Sequence, residues 1–527
     1  MHRTISPLGL LFISVSAIIG SGWLFGAMYA AKSAGPASIF SWIIAGGCVC
    51  VIAFTYAEIC SIVPVSASSV RLPQFTHGRV VAIFVSLITW LSYVTLTVIE
   101  ALAVLHYLSF YIPVITYKIA GNITVGYILA CVLLFILSLV NTYSVKFIIK
   151  CNSILTIIKI FVPLFVCSIL LASFFSISNV THPAQTVFAP FGMHGIFAAI
   201  SIGGVVFSYN GFKQAAEMAG EAKNPSFSVP FAIVGSVVLC MGIFIILQSS
   251  FLCSLSTDQL KNGWESLTLI NNDSPFVSIL SERGKKWVIP ILYFGATIAP
   301  MAAGLVYCTG AARSLSGIAA NGYAPKIFLK LNKREESYIS VWTNFVVAAI
   351  IFNFSSDWSE IASLLTCLFA ISYALAPVCM VALRDKLPLE KRPIKLPFGY
   401  LWAYLAFFFS TMFVYWSGWI VISKVVWVFI ISFVFTITYQ VVAKKSFKKL
   451  INHWKASIWM WTYFIVIIVA SYMGSYGNGH AIWSDRANMI FIAISSGVVL
   501  FLAGKYSLRA GVMKHEILRN TNPAKYK

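Results

Sequence analysis

The sequence predicts an all-α protein that crosses a membrane about fourteen times. Three observations predict it. Hydrophobic residues make up 59% of the 527-residue chain and charged residues only 10%, more apolar surface than a water-soluble domain can bury. The apolar residues fall into continuous runs of about 15 to 27 residues, the length a bilayer-spanning helix needs. The runs do not alternate apolar with polar, as the strands of a membrane barrel do.

The runs lie near 8–31, 38–63, 80–106, 123–143, 152–174, 194–218, 230–253, 288–312, 340–354, 361–382, 399–416, 421–443, 458–473 and 488–504. The pair from 399 to 443 is one long apolar stretch, divided here at Ser417-Gly418. The first run is too long, and too soon followed by a second, to be a cleaved signal peptide. The longest outer loop, near 254–287, contains Trp264. It either covers an outer vestibule or, as connections usually do, only joins two spans.

The charges sit between the runs. Net charge is +21. The basic clusters fall on one side of the expected arrangement: Arg313 to Arg334 with Lys326, Lys330 and Lys333; Arg384 to Lys395; Lys444, Lys445, Lys448 and Lys449; and the tail from Lys505. Basic loops mark the cytoplasmic side, which places both termini there. With its positive charge assigned to the membrane surface, the chain is not expected to bind nucleic acid. The 11 cysteines lie mostly inside apolar runs, among them Cys48, Cys50, Cys60, Cys131 and Cys367. With no Cys-x-x-Cys pair and no Cys/His cluster, they read as small core residues, and no metal or cofactor is expected. The 8 histidines are scattered, and no phosphate-binding Gly-Lys-Ser/Thr loop occurs, so the chain is not expected to be an enzyme.

Two stretches break the apolar pattern. The first run carries Ala17-Ile18-Ile19-Gly20-Ser21-Gly22-Trp23-Leu24-Phe25-Gly26 near its middle. Glycines there cost helix stability, and irregular backbone at membrane depth is tolerated only where it is buried in protein or lines a cavity. An opened turn leaves free N–H groups on one half-helix and free C=O groups on the other. That pair suits a ligand with a carboxylate and an ammonium. The alternative is close packing through Gly20, Gly22 and Gly26. The sixth run carries Gly203-Gly204-Val205-Val206-Phe207-Ser208-Tyr209-Asn210-Gly211-Phe212, followed by polar residues through Pro225. Two broken spans five helices apart lie in oppositely oriented halves, and such a pair points to an inverted-repeat transporter.

At these residues the chain resembles the amino acid–polyamine–organocation permeases. The resemblance is carried by Gly20-Ser21-Gly22-Trp23-Leu24-Phe25 with Ala34-Gly35-Pro36, by Phe207-Ser208-Tyr209-Asn210-Gly211-Phe212 with Gly220-Glu221-Ala222-Lys223-Asn224-Pro225 and Pro230, and by the loop from Leu383-Arg384 through Arg392-Pro393 to Leu396-Pro397. Tyr415-Trp416-Ser417-Gly418-Trp419 and Ser471-Tyr472-Met473-Gly474-Ser475-Tyr476-Gly477 are similar to the subgroup that contains bacterial aspartate–proton symporters.

The resemblance implies a five-plus-five inverted-repeat fold with helices 1 and 6 broken. Residues 1–398 would form the transport core, with repeats near 8–174 and 194–382. Residues 399–504 would add four helices, and 505–527 a basic tail. It implies a secondary transporter that imports an amino acid across the cell (inner) membrane by alternating access, as a proton symporter, with an aspartate-like substrate. The N–H groups of Gly20, Ser21 and Gly22 would hold the substrate carboxylate. Carbonyls near Ala17, Ile18 and Phe207 would hold the ammonium, with Ile19, Ser208, Tyr209, Asn210 and Gly211 completing the lining. Phe207 would be a lid; the alternative is ordinary aromatic packing. Tyr209 either bonds substrate or braces neighbouring helices. One departure stands out: the family's Pro-x-Ser-Gly-Gly after the second span is Pro64-Val65-Ser66-Ala67-Ser68 here, which leaves the backbone of a gate loop open.

Lys159 lies mid-span in Ile157-Ile158-Lys159-Ile160-Phe161, where a lysine costs about 2.5–3.5 kcal/mol on insertion scales. It is either a group that gives up its proton during transport, which the resemblance favours, or a permanent cation that caps carbonyls of the broken first helix. Glu100, in the outer half of the third run, either pairs with a buried cation or receives a proton, or else sits near the interface and is merely solvated. Glu58 reads as structural. Lys213, Glu217 and Glu221 follow the second break. Glu217 and Glu221, four apart, share a helix face, Lys213 and Glu217 are spaced to pair, and the group reads as a gate network. Lys213 also lies near enough to the break to attract an acidic side chain. Thr297 in the eighth run is a further candidate for an ion or proton site.

The main alternative function is exchange of amino acids or amines at the same site. An alternative of another class is an amino-acid-binding membrane sensor, although no soluble output segment is evident. The expected partners are an amino acid, protons and the bilayer; oligomeric state is not legible.

Overall fold

The structure, a computed structural model, describes residues 4–521 apart from 110–111, 117, 121–122, 144, 175, 177–186, 257, 268, 270–274, 335, 354–357, 391 and 445–453. The basic residues Lys445, Lys448 and Lys449 and the tail beyond Thr521 thus lie outside the described residues.

The chain is helical nearly throughout. A ribbon of two short antiparallel strands, Lys118–Ala120 and Ile123–Thr124, is the exception among the described residues. Helix α1 (Pro7–Ile18) begins where Ser6 Oγ accepts the Gly9 N–H at 3.1 Å and Pro7 fits the first turn. It stops at Ile18, and α2 (Gly22–Ala34) resumes after Ile19-Gly20-Ser21. Next come α3 (Ser38–Ile62), α4 (Ser68–His77), α5 (Arg79–Ser109), α6 (Val125–Asn141) and α7 (Val145–Phe174). The sixth apolar run is divided into α8 (Gly192–Ser201), α9 (Val205–Ser208) and α10 (Gln214–Glu217). The chain continues with α11 (Pro225–Ser254), α12 (Pro275–Glu282), α13 (Ile289–Ala320), α14 (Tyr338–Phe352), α15 (Trp358–Tyr373) and α16 (Leu375–Lys386). The last helices are α17 (Gly399–Trp416), α18 (Trp419–Lys444), α19 (Ile458–Met473), α20 (Asp485–Tyr506) and α21 (Ala510–Thr521).

Each expected apolar run overlaps a helix, but they are not fourteen uniform spans. Among the described residues, eight helical stretches are long and apolar enough to cross a membrane, or up to nine when a bent pair is counted. Pro7–Ile18, Val125–Asn141, Gly192–Ser208 and Tyr338–Phe352 are shorter apolar helices, and Gly22–Ile62 runs on as one 41-residue stretch. The bent pair is α17 and α18, which turn by 106° at Ser417-Gly418. Gly418 there has φ +84° and lies against Gly477, itself at φ +55°, so that a Cβ on Gly418 would come within 2.5 Å of the Gly477 Cα. Only two glycines allow that approach.

The packing puts α1 in the interior. It lies against α7, α11 and α13, while α5 packs on α13 and α15, and α3 on α11. Helix α17 covers α3, α15 and α16, and α20 packs on α16, α17 and α19. The last helices thus brace the outside of the bundle that holds α1.

Glu58 is the structural residue its position in the second run suggested. Arg384 grips it in a two-pronged bond, Nε to Oε1 at 2.8 Å and Nη2 to Oε2 at 2.6 Å. The Leu396 N–H adds a bond to Oε2 at 2.9 Å. The loop after α16 is thereby tied to α3. Removing one member of a buried pair leaves the other charge poorly matched, here with Arg392 Nε 3.8 Å from Glu58 Oε1 and the two-pronged bond gone. Arg384→Met is therefore expected to destabilise the protein by about 3 kcal/mol, read as a lower melting temperature in detergent.

The loop after α3 makes a left-handed turn without a glycine. Ala67 adopts φ +55°, a region that costs a residue with a Cβ about 1 kcal/mol. Its N–H donates to Glu217 O at 2.9 Å, and Ser68 Oγ donates to Ala216 O at 2.7 Å. These bonds hold the turn against α10.

Candidate functional site

The two interrupted runs meet at their breaks. Gly211 has φ +126° and lies directly on the backbone of Ala17 and Ile18, where a Cβ would stand 2.6 Å from Ala17 C and from Ile18 N. Gly22 lies on Ser208, where a Cβ would come within 2.8 Å of the Ser208 Cβ. Ser14 fastens the crossing: its Oγ donates to Phe212 O at 3.3 Å and accepts the Ala215 N–H at 3.2 Å. The glycines that interrupt these helices are also what lets the interruptions touch. Helix packing and helix breaking, alternatives in the sequence, both apply here.

Each half of the first broken helix ends on a side chain of the charge its dipole favours. At the N-terminal end of α2, the Ser21 N–H donates to Glu100 Oε2 at 2.7 Å. Glu100 is 2% exposed, so the solvated reading does not apply. Its carboxyl lies so close to Gly20 that a Cβ there would be 2.9 Å from the Glu100 Cδ. At the C-terminal end of α1, Lys159 Nζ donates to the Ser16 carbonyl and, at 3.1 Å, to Ser16 Oγ. Lys159 is 1% exposed. Helices α5 and α7 thus deliver one acidic and one basic side chain to opposite lips of the same break. The Glu100 carboxylate already sits on a backbone N–H expected to hold a substrate carboxylate.

The carbonyls expected to face an ammonium are partly engaged. Tyr307 OH donates to Ala17 O at 2.6 Å and approaches Asn210 O at 3.2 Å. The Gly20 N–H donates to Ile18 O at 3.0 Å, and the Asn210 N–H donates to Phe207 O at 3.0 Å. A carbonyl oxygen has two lone pairs, so each keeps capacity for another donor. Ile19 continues α1 by one bond, its N–H donating to Val15 O at 2.9 Å.

An aromatic layer covers the break. Phe207 meets Trp358 edge-on, with ring centroids 5.3 Å apart. Trp358 Nε1 donates to Ser21 Oγ at 3.1 Å, and its ring stacks on Tyr29 at 5.7 Å. Phe25 packs against the same tryptophan at 4.8 Å. Phe207→Ala is expected to open this layer and destabilise the protein by about 3 kcal/mol, read as a lower melting temperature in detergent.

Lower in the bundle, Lys213 Nζ donates to Ser372 Oγ at 2.7 Å. Glu217 Oε1 accepts from Tyr93 OH at 3.0 Å. Lys213 and Glu217 do not form an ion pair within 4.0 Å among the described residues. Glu217 and Glu221 do not share a helix face either. Helix α10 ends at Glu217, and Ala219–Glu221 is a separate single turn. Glu221 instead pairs with Arg313 at 3.1 Å, and its carbonyl accepts the N–H groups of Thr4 and Ile5 at 2.9 and 3.0 Å. That layer ties the N-terminus, the turn after α10 and α13 together.

Tyr209 turns away from the break. Its OH donates to Trp42 O at 2.9 Å and its ring packs on Phe244, the bracing role. Thr297 bonds back along its own helix to Tyr293 O at 2.9 Å. Sequence reasoning missed Trp358, Tyr307 and Tyr373, the last of which donates its OH to Asn210 Oδ1. Single aromatics in apolar helices carry no signal that separates them from core residues.

The family model described as amino acid permease matches residues 5–438. The aspartate-proton symporter of Bacillus subtilis (strain 168) is 31% identical over 96% of this chain and 96% of its own length. The glutamate/serine transporter AimA of the same organism is 31% identical over 98% of this chain and 96% of its own length. The branched-chain amino acid permease BcaP, also from Bacillus subtilis, is 25% identical over 82% of this chain and 91% of its own length.

Proposed function

The chain belongs to the amino acid permease family, and from that premise we propose that this multi-pass membrane transporter imports an acidic amino acid together with a proton. The observation that carries the coupling is the Glu100 carboxylate on the Ser21 N–H, opposite Lys159 on Ser16. Glu100 occupies a seat that the substrate's α-carboxylate needs. In an alternating-access cycle, a proton taken up by Glu100 cancels its charge and releases the N–H to the incoming carboxylate. Lys159 holds the other half-helix; when that half moves it gives its proton to water on the cytoplasmic side and takes the Glu100 proton in its place, so that one proton crosses per cycle and both groups return to their starting state. Substrate and proton then enter as a pair because one vacates the place of the other. The acidic substrate is supported by the names of the two relatives at 31% identity, one an aspartate-proton symporter and one a glutamate/serine transporter.

The same reading takes α1 to α7 and α8 to α16 as the two inverted halves, each opened by a broken span. It places Gly20, Ser21, Gly22, Ala17, Ile18, Ile19, Phe207, Ser208, Asn210 and Gly211 around the substrate. Glu217, Glu221 and Arg313 form the gate on the cytoplasmic side, where both termini lie. Purified protein in liposomes with an inward proton gradient tests it against a panel of labelled amino acids. Accumulation of aspartate or glutamate that an uncoupler abolishes is the expected result. Uptake only against preloaded internal amino acid, indifferent to the gradient, would make the protein an exchanger and overturn the coupling.

A further inference from the structure

Lys213 is a buried amine with no carboxylate in contact with it among the described residues. It is 1% exposed, and among the described residues one of its three N–H donors is used, on Ser372 Oγ. Aromatic faces make up its other surroundings: Tyr93, Phe369 and Tyr373, with ring centroids 5.6, 5.3 and 5.4 Å from Nζ. Among the described residues no carboxylate comes within 4.0 Å of it. Glu217, one turn further along, gives one oxygen to Tyr93 OH, and its other oxygen has no hydrogen-bond partner among the described residues. A buried ammonium held mainly by ring faces is costly unless an anion completes it.

A second set of donors is idle beside it. Asn210 is 1% exposed, and its Oδ1 is taken by Tyr373 OH, while its Nδ2 has no partner among the described residues. Gln214 is fully buried, with neither end of its amide partnered among the described residues. Buried amides are rarely left so. The Tyr373 ring links Asn210 to Lys213, and Tyr307 OH links the Asn210 backbone to the Ala17 carbonyl at the first break. The idle donors therefore lie one tyrosine away from the place where an amino acid's main-chain groups would sit.

We propose that Lys213 Nζ and Asn210 Nδ2 form an anion subsite that receives the side-chain carboxylate of the substrate. The proposal rests on the amino acid transport reading above, and it makes Lys213 the residue that selects an acidic substrate. A short dicarboxylic amino acid places its α-carboxylate and ammonium at the first break and its second carboxylate against Lys213. A neutral side chain leaves the ammonium and the amide unpaired, which is how a buried polar site rejects the wrong ligand.

Three versions of the protein in liposomes test this with labelled aspartate, serine and lysine: unmodified, Lys213→Met and Lys213→Glu. Unmodified protein is expected to prefer aspartate. Lys213→Met is expected to lower the aspartate-to-serine ratio by roughly ten- to a hundredfold, the worth of a charged hydrogen bond. Lys213→Glu is expected to reject aspartate and gain lysine uptake, a gain that misfolding cannot produce. An aspartate-to-serine ratio unchanged in Lys213→Met, with no lysine uptake by Lys213→Glu, would overturn the subsite. Unmodified protein that accumulates serine but not aspartate would overturn it as well, with amino acid transport standing. Unmodified protein that accumulates no amino acid would overturn the transport reading and the subsite with it.

Discussion

Lys159→Ala is expected to abolish gradient-driven accumulation, with at least about a tenfold loss in uptake under an imposed proton gradient. The side chain holds the last turn of α1 through two bonds to Ser16. Without it the Ser16 carbonyl loses its buried donor, and the half-helix loses the cation that opposes its dipole. The variant is expected to fold, because α1 remains fastened to α7 by other bonds. Ser16 Oγ donates to Asn152 Oδ1 at 2.6 Å, and Thr156 Oγ1 donates to Phe12 O at 3.3 Å. Lys159→Arg separates coupling from capping. An arginine keeps the positive charge and can reach the same carbonyl, but it does not give up a proton in a protein. It is expected to retain melting temperature and lose dependence on the gradient. Gradient-driven uptake preserved in Lys159→Arg would make Lys159 a permanent structural cap.

Gly211→Ala is expected to be the most damaging single methyl group in the site. The atoms it meets at 2.6 Å are backbone, Ala17 C and Ile18 N, and Gly211 has φ +126°, where a Cβ is strained in any case. Neither neighbour has a rotamer to change. The two broken runs must separate, at a cost of roughly 3 kcal/mol. Uptake and melting temperature are expected to fall together. Gly47→Ala is the control, since nothing lies within 4 Å of the added methyl. In the interior of α3 the alanine is expected to be neutral or to stabilise by up to about 1 kcal/mol.

The breaks were legible because the bilayer makes irregular backbone expensive. Three glycines in one apolar run and a polar drift in another are costly at membrane depth unless the opened backbone faces protein or a cavity. Lys159 was legible for the same reason: a charge in mid-span needs a purpose. What those features meet was not legible. Glu100 reaches Ser21 because of the rotation of α5 against α2, which no local pattern encodes. Trp358, Tyr307 and Tyr373 close the site from α13 and α15, yet in sequence they are ordinary aromatics of apolar helices. Glu217 and Glu221 have helical spacing, but the helix stops between them, and Arg313 draws Glu221 away. Ala67 shows the reverse case. Its sequence departs from a glycine-bearing loop, and the backbone holds the left-handed turn through bonds to Glu217 and its neighbours.

The most direct measurement is proton entry itself. Liposomes that hold the protein and a trapped pH-sensitive dye, with no gradient imposed, receive external aspartate. Acidification of the lumen in step with aspartate uptake, absent in Lys159→Ala, is the predicted result. Entry of labelled aspartate with the lumen pH unmoved would contradict proton symport and leave Glu100 and Lys159 as fixed caps on a broken helix.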